Sequence, residues 1–434
     1  MNSGQKLWEK AKGIIPGGNM LLSKRAEMFL PEKWPAYFSK AKGCYVWDLD
    51  GKKYADMSIM GIGTNSLGYS HPQVDEAVIK TVKDGNMSTF NCEEEVLLAE
   101  KLIEIHPWAH MVRFARSGGE ANAIAIRIAR ACSQKDKVAI CGYHGWHDWY
   151  LATNLTSKSG LSEHLLPGLN PAGVPSDLAG TAIPFKYNNF KELKEISENN
   201  DLAAIKMEVQ RSEPPKNNFL NKVRKLCNEK GIILIFDECT SGFRECLGGL
   251  HNKYGVEPDM CMFGKALGNG YAITAVIGKK QIMDAAQSTF ISSTFWTERI
   301  GPTASLKTIE IMNEIKSWEI NSKKGDQIRE IWDELAMKHS LQINIGGIKP
   351  IPFFSMPYKN FLKYKTLITQ EMLKKGFLSS NLIFTCIDHD KEVIDAYKYN
   401  LDQIFKTISE CENGLQIDNL LEGPVCHSGF KRLN

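Results

Sequence analysis

The sequence predicts an α/β protein with a large domain on a mainly parallel sheet and a smaller α+β domain built from both ends of the chain. Two observations carry that expectation. Short continuous apolar runs alternate with helical periodicity through the middle of the chain, as strands buried on both faces do. The ends read differently, the first as an antiparallel hairpin and the last as amphipathic helices mixed with short strands. The expected division is therefore 1–60 packing with the small domain, 61–307 as the large domain and 308–434 as the rest of the small one.

In chain order, Gly43 to Ser58 (GCYVWDLDGKKYADMS) alternates apolar and polar residues around Asp50-Gly51, a hairpin pattern. Gly61-Ile62-Gly63-Thr64-Asn65-Ser66 lacks the third glycine of the dinucleotide fingerprint, which argues against a nicotinamide enzyme. The expected strands are Val112 to Ala115, Val138 to Cys141, Ala203 to Val209, Ile232 to Phe236, Met260 to Phe263 and Ile273 to Ile277. Asn122 to Cys132 is expected to be a helix, with Ile124, Ala125, Ile128, Ala129 and Cys132 on one face, the spacing of a buried stripe. Thr156 to Pro184 is rich in Ser, Gly and Pro and poor in periodicity. It reads as one long loop, a length typical of a lid or an insertion.

Composition narrows the function. The 434 residues are 43% hydrophobic and 24% charged, an ordinary globular balance. With 53 Lys+Arg against 50 Asp+Glu the formal charge is +3, too even for a dedicated nucleic-acid binder. Small molecules are the expected partners. Eleven cysteines lie singly from Cys44 to Cys426 with no C-x-x-C pair, which suggests reduced thiols in the cytoplasm. No uncharged apolar run reaches the roughly 18 residues of a membrane helix, and Met1 to Trp8 is polar, so neither secretion nor a membrane partner is expected.

Four places offer chemistry. Ser117-Gly118-Gly119-Glu120 follows an apolar run and opens a helix, so backbone N–H groups gather where a phosphate or carboxylate would bind. The alternative is a capping box and nothing more. Asp237-Glu238 ends a continuous apolar run, at the strand end where open α/β sheets place ligands; Asp237 is either a partner for a heteroaromatic nitrogen or a turn residue. Lys265 stands among the glycines of Phe263-Gly264-Lys265-Ala266-Leu267-Gly268-Asn269-Gly270. A lysine desolvated there loses basicity and can form a Schiff base, whereas an ordinary lysine is solvated. Tyr143-His144-Gly145-Trp146-His147-Asp148 offers rings to stack on a flat ligand or to fill the core. The three-residue spacing of His144 and His147 is poor for a metal, and none is expected.

Taken in order, RFARSGGEANAIAIRIARA, GYHGWHDWY, ILIFDECTSGFR, FGKALGNGYAITAVIG and SSTFWTERIGPTAS resemble the class III, pyridoxal-phosphate-dependent aminotransferases of fold type I. Within them the chain is most similar to the branch of glutamate-1-semialdehyde 2,1-aminomutase. The resemblance runs from Ile14-Ile15-Pro16-Gly17-Gly18 to Gly376-Phe377, and it implies a sheet of the seven-stranded type and a homodimer with shared active sites. It implies that Lys265 anchors pyridoxal 5'-phosphate as a Schiff base and moves a proton. By the same resemblance Asp237 keeps the pyridine nitrogen protonated, Tyr143 stacks on the ring with His144 beside it, and Glu208 lies in the preceding strand. Ser117, Gly118 and Gly119 match the phosphate cup, with Gly119 where relatives usually carry Thr or Ser. Thr294 matches a threonine that reaches the phosphate from the neighbouring subunit. Arg25, Trp146 and Arg211 are the expected substrate residues, and 167–175 resembles a gating loop. The activity implied is amino transfer from an amino acid to a keto or aldehyde acceptor, or else the intramolecular transfer of the aminomutase. A pyridoxal-phosphate-binding scaffold without activity is the remote alternative.

Overall fold

The structure, a computed structural model, describes residues 1–156, 161, 168–429 and 433. The chain forms two compact units, Met1–His71 with Glu319–Asn434, and Pro72–Trp318. The junctions fall eleven residues beyond the expected 60/61 and 307/308. At the second, helix Ile300–Ile315 packs on helices Pro72–Asp84 and Glu93–Ile105 and so belongs wholly to the second unit.

In the first unit, helix Ser3–Ile14 starts at Asn2, whose side chain accepts the Gln5 N–H while Gln5 returns the bond, a reciprocal cap. Trp8 and Ala11 bury its inner face against Ala26. Strands β1 (Phe38–Lys42), β2 (Tyr45–Asp48) and β3 (Lys53–Met57) follow. β2 and β3 form the expected hairpin, with Tyr45 opposite Ala55. Its turn needs Gly51, which sits at φ +82°, a conformation that suits glycine.

The second unit holds the large sheet: β4 (Met111–Ala115), β5 (Lys137–Cys141), β6 (Ala182–Pro184), β7 (Leu202–Glu208), β8 (Ile233–Asp237), β9 (Met260–Phe263) and β10 (Thr274–Gly278). Their order is β4-β10-β9-β8-β7-β5-β6. β9, β8, β7, β5 and β6 run parallel, and β10 is antiparallel to both neighbours. All six expected strands form, each within one residue of the expected ends. Helix Gly118–Ser133 lays Ile124, Ala125 and Ile128 on Ile140, Ile235, Met262 and Val276, and each such isoleucine contributes about 1.5–3 kcal/mol of burial. It begins four residues before the expected Asn122, because the cap at Ser117 offsets the low helix propensity of Gly118 and Gly119.

The 156–184 stretch is not one loop. It contains a turn at Ser176–Leu178 and ends in β6, an edge strand of three residues too short to show a period. The expected gating segment 167–175 overlaps 162–167, which with 157–160 lies outside the described residues. The chain then returns to the first unit with β11 (Asn344–Gly346), β12 (Phe353–Ser355) and β13 (Phe377–Ser379). β13 pairs in parallel with β3 and closes a sheet of order β1-β2-β3-β13, so two strands far apart in sequence share one sheet.

Candidate active site

The C-terminal ends of β5, β7, β8 and β9 deliver Tyr143, Glu208, Asp237 and Lys265 respectively, the place where parallel sheets expose ligand-binding groups. After β9, Gly264 leads into a single 3-10 turn, Lys265–Gly268, and Lys265 itself adopts φ +46°. A non-glycine residue held there is strained. Its Nζ donates to Thr240 Oγ1 at 2.6 Å. Burial, helped by the Arg211 and Arg244 cations and opposed by Cys239 and Glu208, pulls the Lys265 pKa down to about 8.

Asp237, the last residue of β8, is 4% exposed. Its Oδ2 lies 2.8 Å from His144 Nδ1 and 3.8 Å from Lys206 Nζ, and its Oδ1 accepts the Cys239 N–H at 3.1 Å. Burial alone would raise its pKa, but Lys206 and the His144 hydrogen bond hold it well below the usual carboxylate range. Burial also lowers the His144 pKa, so a neutral imidazole donates Nδ1–H to the carboxylate. That leaves His144 Nε2 buried without a partner.

The helix at Gly118 opens toward the same strand ends. Ser117 Oγ accepts the Glu120 N–H at 3.3 Å, and Glu120 Oε2 accepts the N–H groups of Ser117 at 2.8 Å and Arg116 at 3.0 Å. The capping box is thus present, and it coexists with first-turn N–H groups of Gly118 and Gly119, which have no intrahelical acceptor. A Cβ on Gly119 would stand 2.7 Å from His147 Cε1 and 2.8 Å from Nδ1. The His147 ring therefore takes the space that a threonine or serine would need, and its Nδ1 is buried without a partner.

Tyr143 is half-buried, edge-on to Tyr150 at 6.0 Å, and its backbone N–H donates to Glu208 Oε2 at 3.2 Å. Glu208 lies opposite Asp237 in the β7–β8 register. Arg211 Nη1 donates to both Glu208 oxygens, at 3.2 and 3.1 Å, so the expected substrate arginine already has a carboxylate. Trp146 is 69% exposed and rests on His147. Thr294 is exposed at the start of the turn Thr294–Thr297. Arg25 belongs to the other unit, where a side chain on Gly17 would collide with its guanidinium. Thr240 and Lys206 are absent from the residues expected from sequence, and His147 figures there only as a ring or a poorly spaced metal ligand. Only Lys206 carried a signal, a charge inside the buried run Ala203 to Val209.

Among the described residues, one buried group has ligand-type side chains, Glu238, His251 and Cys261. Its polar atoms are already committed. His251 Nδ1 meets Glu238 Oε1 at 2.6 Å, Trp108 Nε1 donates to His251 Nε2 at 3.0 Å, and Glu238 Oε2 accepts from Leu250 N and Ser241 Oγ. This knot ties β8 to the segment that follows it.

Comparison with known proteins places these features in context. The sequence matches the family described as aminotransferase class-III over residues 31–374. It is 34% identical to a 3-aminobutyryl-CoA aminotransferase of Cloacimonas acidaminovorans over 84% of this chain and 86% of that protein. It is 30% identical to a glutamate-1-semialdehyde 2,1-aminomutase of Methanococcoides burtonii over 87% and 89%. Among solved structures, the FumI protein of Sphingopyxis sp. MTA144, determined with pyridoxal phosphate, has a TM-score of 0.85 at 24% identity, covering 97% of this chain and all of that one.

Proposed function

The chain belongs to the class III aminotransferases, pyridoxal-phosphate enzymes of fold type I, and on that premise we propose that it moves an amino group between two separate small molecules. The donor is an amino acid or amino-acyl compound and the acceptor a keto or aldehyde carbonyl. The single observation behind this reading is Lys265, enclosed at a strand end with its pKa near 8. Transfer between molecules is favoured over the aminomutase reaction because the 34% relative is named as an aminotransferase.

The residues fit the cofactor. His144 Nε2 and His147 Nδ1 are buried without partners, and the first-turn N–H groups at Gly118 and Gly119 form a cradle for a phosphate. When bound, pyridoxal phosphate supplies an electrophilic carbonyl carbon and a ring that accepts an electron pair. Gly118 and Gly119, aided by His147 and the Ser117 hydroxyl, would hold the phosphate; Tyr143 would pack against the ring; and Asp237, kept ionised, would pair with the ring nitrogen. Burial and the nearby Arg211 and Arg244 cations pull the Lys265 pKa down to about 8, so its amine is more readily neutral near pH 7 than a solvated lysine. It acts as nucleophile and then as the base that takes a proton from the substrate carbon. Thr240 Oγ1 orients that amine by accepting its hydrogen bond. Glu208 neutralises Arg211 beside it. A substrate carboxylate then binds elsewhere or displaces Glu208.

A homodimer with shared sites is part of this reading. Phe90, Phe290 and Phe295 are 87%, 82% and 68% exposed, a burden on a monomer that a second copy relieves. Among the described residues no helix is long and apolar enough to cross a membrane. All eleven cysteines are free thiols, as expected of a cytoplasmic enzyme.

The test is the cofactor's visible absorption band, followed as glutamate, alanine, a 3-amino acid, 3-aminobutyryl-CoA and glutamate 1-semialdehyde are added singly. Bleaching by a donor and recovery with a keto acid would establish amino transfer and name the donor. Turnover of glutamate 1-semialdehyde alone would establish the aminomutase instead. A band that survives unchanged in Lys265→Ala would remove the role given to Lys265.

A further inference from the structure

Lys206 stands where an apolar side chain would complete the core. It lies in the central strand β7, level with Ile140 on β5 and Ile235 on β8, and both neighbours are fully buried. Lys206 is itself 0% exposed. Among the described residues its ammonium meets only two groups, Asp237 Oδ2 at 3.8 Å and Met262 Sδ at 3.3 Å. A thioether is a weak acceptor, so Asp237 is the one strong partner of a cation removed from water, an arrangement that costs stability unless the pair serves something else.

We propose that Lys206 is a positioning residue for the cofactor, its ammonium sharing Asp237 with the ring nitrogen so that the nitrogen holds its proton less tightly than Asp237 alone would make it. The inference rests on the pyridoxal-phosphate reading above. Asp237 has one oxygen toward the Cys239 N–H and the other toward His144 and Lys206. Burial lowers the Lys206 pKa, and Asp237 is the foremost neighbour opposing that; paired so, Lys206 balances this buried carboxylate before the cofactor arrives. Once a protonated ring nitrogen approaches, two cations compete for one anion, and each weakens the hold on the other. The remaining titratable groups around Lys206 are Glu208 on its own strand, Cys261 on β9, Cys239 after β8 and His144 after β5. Burial leaves both cysteines as thiols and the imidazole neutral, so they supply no competing charge. Lys206 is thereby an adjustable element: an apolar residue there would give a fully protonated ring, and the lysine moderates it.

The test compares wild type with Lys206→Met, close in shape and without charge, and with Lys206→Gln. Each is loaded with pyridoxal phosphate labelled with 15N at the ring nitrogen. In both variants the 15N resonance should move toward the protonated position, with its titration midpoint about one pH unit higher. Cofactor retention should tighten by about tenfold, the equivalent of that shift. A purely structural lysine predicts the opposite, an unchanged resonance and looser retention, and either result overturns the proposal. So would failure of both variants to fold, which assigns Lys206 to the core. If wild type binds no pyridoxal phosphate, the parent reading fails instead, and the absorption band reports that separately.

Discussion

Replacing Lys265 by methionine should make the cofactor-free protein more stable at neutral pH, although it abolishes the chemistry. The folded-state pKa of about 8 lies below the ordinary 10.5, so between those values the unfolded chain binds more protons and stability rises with pH. Below pH 8 the folded protein bears the full cost of confining the charged amine, about 3 kcal/mol for a depression of this size. Methionine removes that cost and loses the hydrogen bond to Thr240, about 1 kcal/mol. The variant should therefore exceed wild type by about 2 kcal/mol at pH 7. The advantage should shrink through pH 8 to 10.5 and reverse above it. Urea unfolding of both apoproteins at a series of pH values reads this directly. An advantage that does not change with pH, or a variant less stable at pH 7, would refute the claim that Lys265 is held against its own charge.

Three further outcomes follow from the same geometry. Arg211→Met removes a cation that lowers the Lys265 pKa, so the acid limb of the pH–rate profile should move to higher pH; a shift the other way would contradict the placement of that charge. Gly119→Thr should collide with His147, costing about 1–3 kcal/mol and loosening cofactor retention, and His147→Ala should recover part of the loss in a double-mutant cycle on the dissociation constant. Glu120→Ala removes the carboxylate that accepts the Arg116 and Ser117 N–H groups, and the broken cap should cost about 1 kcal/mol in urea unfolding.

Local sequence was enough where local forces decide. The short, largely apolar runs between Val112 and Ile277 announce six of the seven large-sheet strands because most of these strands are buried on both faces and admit few polar side chains. Ser117 and Glu120 announce a capping box because their hydrogen bonds close within four residues, although the helix is expected only from Asn122. Asp50-Gly51 announces the hairpin for the same reason. The chemistry-bearing types, Lys265 and Asp237, were legible because they interrupt apolar runs and glycine-rich turns. What the tertiary structure alone decided is which charges meet. β13 pairs with β3, and His144 reaches Asp237 across 93 residues of sequence; neither leaves a periodic trace. Three-residue β6 has too few side chains to show a period. Lys206 looks in sequence like a blemish in a strand, and it becomes a partner of Asp237 only because parallel pairing sets β7 beside β8. The sequence states which groups are costly to bury, and only the folded sheet determines which opposite charge is close enough to justify burying them.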